Sequence, residues 1–267
     1  MLMVKRNKKS GGMTKDGKLN VLVAGNEKAI DILPTLINSV IRNTNKFVNV
    51  VVLCRKWNRS EISTSRYNIE FVEYYGHTDN PNYSQSSAND ILYFLPMMWG
   101  CDRCITLGWD ELVVDNIDEY YDTEFVGDEF VTAVKYDSGR LIDLWTWKGK
   151  RKQLESIFSE ECLNAVGFSG GSHVIDLQKY CKMRKPIMMN RALHVLGGED
   201  HLSTIGVYYG HVKYVDKRFN ALPEYNIVNP VIVHYSGNRK PWNKPEGNPE
   251  WNKYKTTWKE LEYESRK

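Results

Sequence analysis

Pro230-Val-Ile-Val-His234-Tyr-Ser-Gly237-Asn-Arg-Lys240-Pro-Trp242-Asn243 passes from an apolar, β-branched run to a polar, glycine-bearing one. Pro230–Val233 reads as a short buried strand that delivers His234 to its end, where a loop begins. Gly237 lets backbone come close to a ligand with no Cβ in the way. Lys240 supplies a mobile point charge suited to phosphate, and Pro241 with Trp242 stiffens the loop behind it. An imidazole able to take a metal, bare backbone and a lysine within seven residues suit a diphosphate with a bound cation. An ordinary surface loop with Trp242 as packing is the competing reading. In both, His234 and Lys240 sit on an exposed loop.

Upstream, short apolar runs alternate with helix-like segments. Leu19–Ala24, Asn49–Cys54, Ile69–Tyr74 and Arg103–Leu107 read as strands, and Ile30–Ile41 and Ser87–Met98 as helices. This order predicts an α/β protein with a mostly parallel sheet, in which ligands bind beyond the carboxyl ends of the strands. The second half is less regular and predicts a mixed sheet, with strands at Phe130–Val134, Ser172–Ile175 and Val212–Val215 and a helix over Leu202–Tyr209. Residues 1–17 read as a flexible basic arm, 18–243 as the main domain, and 244–267 as a terminal helix or tail.

The 267 residues suffice for one substantial domain, and a net charge of +3 is too mild to demand an anionic macromolecular partner. No apolar stretch is long enough to span a bilayer, and no apolar core follows the basic N-terminal residues as a secretory signal requires. Five cysteines without a regular framework predict a reduced, cytoplasmic protein. The lone Cys101-Asp-Arg-Cys104 precedes a strand and reads as buried structural thiols rather than a zinc or redox site.

The segment from His234 to Trp242, HYSGNRKPW, resembles the HxxGxxKPW element of glycosyltransferase family 8, which includes glycogenin and bacterial galactosyl- and glucosyltransferases. The resemblance implies a GT-A type, Rossmann-like nucleotide-binding domain with a mixed sheet. It puts a manganese ligand on His234 and diphosphate contacts on Gly237 and Lys240. Asp110–Glu119 resembles the family's DxD-TLVLGDLDE stretch, with the second Asp on Asp110 and Gly108 where the first belongs. Metal binding is therefore expected through Asp110 and His234, completed by phosphate oxygens and water, with Glu111 as the alternative carboxylate. The Glu111 side chain, one residue on, is expected to leave the strand end in another direction.

Phe168–Leu177 resembles the family's FNAGVMLINL segment, with Ser169 in place of the usual Asn and Gly171 matching. Gly198–Leu202 resembles its pDQdxLN segment, which puts sugar-site roles on Asp200 and His201; a helix cap is the plain alternative for Asp200. Val23–Lys28 stands where the nucleotide-base loop belongs, implicating Ala24 and Asn26. An Arg expected near Ala88–Leu92 is missing, which marks a divergent member.

The function implied is a retaining glycosyltransferase that moves a sugar from a nucleoside-diphosphate sugar, UDP-hexose foremost, to a hydroxyl acceptor. Asp200, His201 and Ser169 would serve the catalytic end. Ala24, Asn26, Gly108, Asp110, Gly171, Gly237 and Lys240 would bind donor, with a divalent metal, Mn2+, as cofactor. A saccharide is the leading acceptor and a modified base in DNA the second, suggested by Lys5, Arg6, Lys8 and Lys9 and by Lys253, Lys255 and Lys259. The rival from another class is a non-catalytic nucleotide-sugar-binding protein.

Overall fold

Both faces of the first strands are apolar because both are covered. In the computed structural model, β1 (Lys18–Gly25) and β2 (Phe47–Cys54) lie side by side. Leu22, Ala24, Val51 and Leu53 join one hydrophobic cluster, while Val21, Val23, Val50 and Val52 join another. Near-continuous apolar runs are what a strand buried on two sides requires. The structure describes residues 17–25, 29–54, 59–73, 100–143, 149–198, 200–238, 240–243 and 248–264.

The other described strands are β3 (Ile62–Ser63), β4 (Tyr67–Glu73), β5 (Arg103–Leu107), β6 (Glu111–Val113), β7 (Val131–Arg140), β8 (Val166–Phe168), β9 (His173–Asp176), β10 (Val212–Val215) and β11 (Ile232–His234). The helices are α1 (Leu33–Arg42), α2 (Asp118–Tyr121), α3 (Arg151–Glu155), α4 (Glu160–Asn164), α5 (Leu177–Lys182), α6 (Lys185–Val195), α7 (Asp200–Tyr208), α8 (Pro249–Tyr254) and α9 (Trp258–Glu264). The predicted helix over Ser87–Met98 lies outside the described residues, as does most of the basic arm.

A nine-stranded sheet runs β10-β7-β9-β5-β1-β2-β4-β3, with β8 paired to β7, and β11 and β6 form a separate two-stranded sheet. The pairs β1–β2, β2–β4 and β1–β5 are parallel, as the alternation of strands and helices predicted. β9 is antiparallel to both β5 and β7, and β8 is antiparallel to β7, so the sheet is mixed, as the less regular second half predicted. An apolar run reports burial and not strand direction, so which strands reverse was not foreseen. The reversal has a structural consequence. Entering β9 from β8, the chain must lay its Ser169–Ser172 turn beside the carboxyl end of β5.

α1 begins with Pro34 in its first turn, ends with Arg42 and buries most of its length against β1 and β2. It also anchors the small sheet. The Val113 amide donates to Ser39 Oγ (3.0 Å), and Asn43 Nδ2 donates to the Val113 carbonyl (2.9 Å). α8 and α9 close over α1: Asn38 Nδ2 donates to the Tyr254 carbonyl and Trp258 Nε1 to that of Ile30, each at 2.8 Å. Cys101 and Cys104 are buried free thiols, and burial pushes the Cys101 thiol up to about 12, as suits a structural role.

Candidate active site

Val23 pairs with Leu107, so the next residues on the two strands, Ala24 and Gly108, stand together at the carboxyl edge of the parallel core. The chain turns there through Trp109 and Asp110 into β6. β6 pairs antiparallel with β11, setting Glu111 opposite His234, and the Tyr235 amide donates to the Asp110 carbonyl (2.9 Å). The loop that begins at His234 is thus stitched to the turn after β5 before any side chain is considered.

Side chains complete the connection. Lys240 Nζ donates to Asp110 Oδ2 at 2.5 Å and to the Tyr235 carbonyl at 2.7 Å. Its ammonium also lies 5.2 Å from the Trp109 ring centre, and Trp109 packs on Trp242 with centroids 5.4 Å apart. Asp110 Oδ1 lies 3.6 Å from His234 Nε2. Burial works against the Asp110 charge, yet His234 and Lys240 outweigh it and hold the carboxyl below its usual range. Burial likewise opposes a charged imidazole at His234, and the neighbouring Asp110 and Glu111 carboxylates overcome it and raise its pKa. Neither basic side chain is on an exposed loop as expected: Lys240 is 13% and His234 15% exposed. The loop folds back because Asp110 and the Trp109–Trp242 pair give it partners.

Glu111 does leave the turn in another direction from Asp110, and that direction is inward. Its side chain is fully buried. One oxygen accepts from the Gly108 amide (2.9 Å); the other, Oε1, has no hydrogen-bond partner and faces His234 Nδ1 at 3.8 Å. Burial pushes this carboxyl up to about 7, with the Asp110 charge adding to the rise against the opposing pull of His234. A Cβ on Gly108 would lie 2.9 Å from Asp110 Oδ1 and 3.6 Å from the Glu111 carboxyl carbon, so two carboxylates already crowd the place of the missing one.

The second strip is built from the β8–β9 turn. The Ser169 amide donates to the Val134 carbonyl at 2.9 Å. Ser169 Oγ accepts from Asn220 Nδ2 (2.9 Å) and from the Gly171 amide (3.3 Å). A Cβ on Gly171 would lie 2.2 Å from Asn220 Nδ2 and 2.6 Å from Glu111 Oε1, so glycine there is a packing requirement. A Cβ on Gly170 would meet His201 Cδ2 at 2.3 Å, which places the half-buried His201 ring over that glycine. Asp200 opens α7; its side chain and Asn26 lie outside the described part of the structure. Gly237 is exposed at φ +71°, where the demand for glycine is conformational.

The structure therefore gathers Asp110, Lys240 and His234, and joins Gly171 and Ser169 to them through a residue the motifs did not name. Asn220 lies between the two strips. Its only signal in the sequence is a polar residue inside Phe219–Leu222, a stretch that alone suggests neither strand nor ligand.

The distances fit a cation. Two donors bound to one ion at roughly 2.0–2.2 Å each lie within about 4.4 Å of one another, and Asp110 Oδ1 and His234 Nε2 satisfy that. Among the described residues no group of three His, Cys, Asp or Glu side chains converges as a metal site.

A carboxylate, an imidazole and a lysine stand beyond the ends of the parallel strands, in an α/β fold shared with solved glycosyltransferases. The profile of glycosyl transferase family 8 matches residues 20–246, and the chain belongs to that family. Among solved structures it is similar to the galactosyltransferase LgtC, captured with donor and acceptor sugar analogues: TM-score 0.65 and 17% identity over 92% of this chain and 95% of that one. It is similar also to the bifunctional glycosyltransferase WbbM, with TM-score 0.68 and 17% identity over 96% of this chain and 54% of the other. GlyE of Streptococcus pneumoniae TIGR4 gives TM-score 0.65 and 15% identity over 92% of this chain and 62% of the other. The chain thus spans little more than half of WbbM, and at these identities the likeness concerns the fold. Sequence comparison with curated proteins gives no match. Family membership decides for an enzyme over a non-catalytic binding protein.

Proposed function

We propose that the chain is a retaining glycosyltransferase that takes its sugar from a UDP-linked hexose and gives it to a saccharide hydroxyl. The observation that carries this reading is the close set of Asp110, His234 and Lys240 at the mouth of the parallel strands. Asp110 and His234 would hold a divalent cation, manganese in our reading, which when bound neutralises the diphosphate leaving group. Lys240 is the counter-charge of Asp110, and a diphosphate would offer its ammonium a third partner beside Asp110 and the Tyr235 carbonyl. Lys240 and backbone amides near Gly237 then stabilise the charge that develops on the departing phosphate.

The sugar occupies the strip floored by Gly171 and Gly170, with Ser169, His201 and Asp200 orienting it as it passes through an oxocarbenium-like state. Among the described side chains of the strip none offers itself as a covalent nucleophile. A front-face route, in which the leaving phosphate accepts the acceptor's proton, is the reading we adopt. Ala24 and Asn26 would bind the nucleotide.

The acceptor approaches along a groove of about 720 Å³ lined by Lys135, Asp137, Asp216, Lys217 and Arg218 with Ile227 and Val228. It adjoins the strip through the Ser169–Val134 bond and the short run from Arg218 to Asn220. Mixed polar and apolar walls suit a sugar. A DNA acceptor finds no such support: the described C-terminal lysines stand among Glu250, Glu260, Glu262 and Glu264 on helices packed against α1. No helix among the described residues is long and apolar enough to cross a membrane, and the four described cysteines are free, which supports work in the cytoplasm.

The test offers a panel of nucleoside-diphosphate hexoses and pentoses with and without Mn2+, follows nucleotide release, and reads the anomeric configuration of the product by NMR. Mn2+-stimulated release from one UDP-hexose with retained configuration is expected. Inverted product, or no turnover of any donor under either condition, overturns the reading.

A further inference from the structure

Asn220 is 6% exposed and fixed from both sides. Before it, Phe219 stacks on Tyr120 with ring centres 4.6 Å apart, and its carbonyl accepts from Ser172 Oγ at 2.9 Å. After it, Ala221 donates to the Ile232 carbonyl (2.8 Å) and accepts from the His234 amide (2.9 Å). With its backbone held, the side chain has little choice of direction. Its amide nitrogen donates to Ser169 Oγ at 2.9 Å, and its oxygen lies 3.0 Å from His234 Nδ1.

Those two contacts set the orientation of the amide and the tautomer of the imidazole together. Ser169 Oγ has two acceptor lone pairs, taken by the Gly171 amide and by Asn220 Nδ2, so the NH2 end of Asn220 is turned toward Ser169. The oxygen end then faces His234 and carries no proton, so Nδ1–H must donate to it. The lone pair is left on Nε2, the nitrogen turned toward Asp110 Oδ1. Glu111 Oε1, 3.8 Å from Nδ1, is the other acceptor on that side and is too far to take the proton. Gly171 leaves the room: a Cβ there would lie 2.2 Å from Asn220 Nδ2 and 3.0 Å from His234 Nδ1.

We propose that Asn220 is the positioning residue of the metal site, presenting His234 Nε2 to the cation and tying that ligand to Ser169 on the sugar strip. The inference rests on the metal reading above. Partners of this kind behind a metal-bound imidazole change metal affinity by roughly 10- to 100-fold.

The experiment titrates Mn2+ by electron paramagnetic resonance in the presence of saturating UDP. Wild type is expected to bind, Asn220→Ala to bind roughly 10- to 100-fold more weakly, and Asn220→Asp, which keeps an acceptor for Nδ1–H, to recover within a few-fold of wild type. If wild type does not bind Mn2+, the metal reading falls. If wild type and Asn220→Ala bind equally, or Asp rescues no better than Ala, the metal reading stands and the role of Asn220 falls. A second readout needs no variant to fold. Nitrogen chemical shifts of His234 in metal-free wild type, above the pH at which it titrates, should show the proton on Nδ1; a proton on Nε2 overturns the proposal.

Discussion

At the proposed diphosphate end, Asp110, Glu111, His234 and Lys240 are charged or chargeable groups packed against one another, and each sets its neighbours' electrostatics. At the sugar end, Ser169, Gly170, Gly171 and His201 form a surface of small groups whose positions are set by contact distances. In the proposed reading, charge does the chemistry at one end and shape at the other. Losses at the first end should therefore scale with transition-state charge, and losses at the second with how far a neighbour can move.

The largest effect is expected from Lys240→Ala and His234→Ala. Each should lower kcat/KM by roughly 2–4 kcal/mol of transition-state stabilisation. Because both side chains are largely buried, the variants should also melt lower than wild type; Lys240→Ala leaves Asp110 with its carboxylate pulled only by His234. Steady-state kinetics with the identified donor, alongside thermal melts, separates the two losses. Wild-type turnover in either variant removes the diphosphate end from the mechanism.

Beneath the sugar end, His173 provides a pH test. It is 4% exposed; Nδ1 donates to the Thr132 carbonyl at 2.7 Å and Nε2 has no hydrogen-bond partner. Burial drives its pKa from 6.5 down to about 4. The folded chain therefore holds this imidazole neutral where an unfolded chain would protonate it. The resulting stability is complete above pH 6.5 and is lost as pH falls toward 4, in total roughly 3 kcal/mol. Melting temperature measured from pH 7 to pH 4 should fall less steeply in His173→Gln than in wild type. Parallel slopes would show that the acid sensitivity lies elsewhere, the carboxylates of the other end being the first place to look.

Two adjacent glycines test whether room to move decides the cost at the sugar end. Gly171→Ala meets Asn220 and Glu111, both pinned and buried, and should destabilise by about 1–3 kcal/mol. Gly170→Ala meets a His201 ring that is only half-buried, and should shift that ring at a smaller cost. Equal destabilisation by the two alanines would mean that His201 is held as firmly as Asn220.

The same contrast explains what could be read from the chain. β1, β2, β4 and β5 were legible because two-sided burial writes apolar runs into the sequence. α6 was missed: Lys185, Pro186 and Met189 are buried while Ile187, Met188 and Arg191 are exposed, so polarity and burial part company along it. That Asp110, His234 and Lys240 come together was legible because they sit in segments that resemble family motifs. Asn220 was not, because its importance lies in two side-chain contacts, to residues 14 and 51 positions away, that only the folded chain brings together. Glu111 shows the limit in another form. Its departure in a different direction was foreseeable from strand geometry; that the direction was a dry interior beside His234 was not.

Gly108→Asp brings both ends of the comparison to one position and should give the smallest shift. By motif it restores a missing carboxylate and tightens Mn2+. By contact its Cβ lies 2.9 Å from Asp110 Oδ1 and 3.6 Å from the Glu111 carboxyl carbon, adding a third acid to a turn that already holds two. Gly108 does not require a left-handed backbone, so strain does not confound the substitution. Like charges close together raise the free energy of the metal-free protein, and a divalent cation relieves that repulsion. The variant should therefore melt below wild type without metal and gain more from Mn2+, by about 1 kcal/mol of linkage for each several-fold gain in affinity. Thermal melts across a Mn2+ series with UDP present give both numbers. An equal Mn2+-dependent rise in the two proteins would mean that the added carboxylate cannot reach the cation, and that packing around Glu111, rather than a lost ligand, governs this corner of the site.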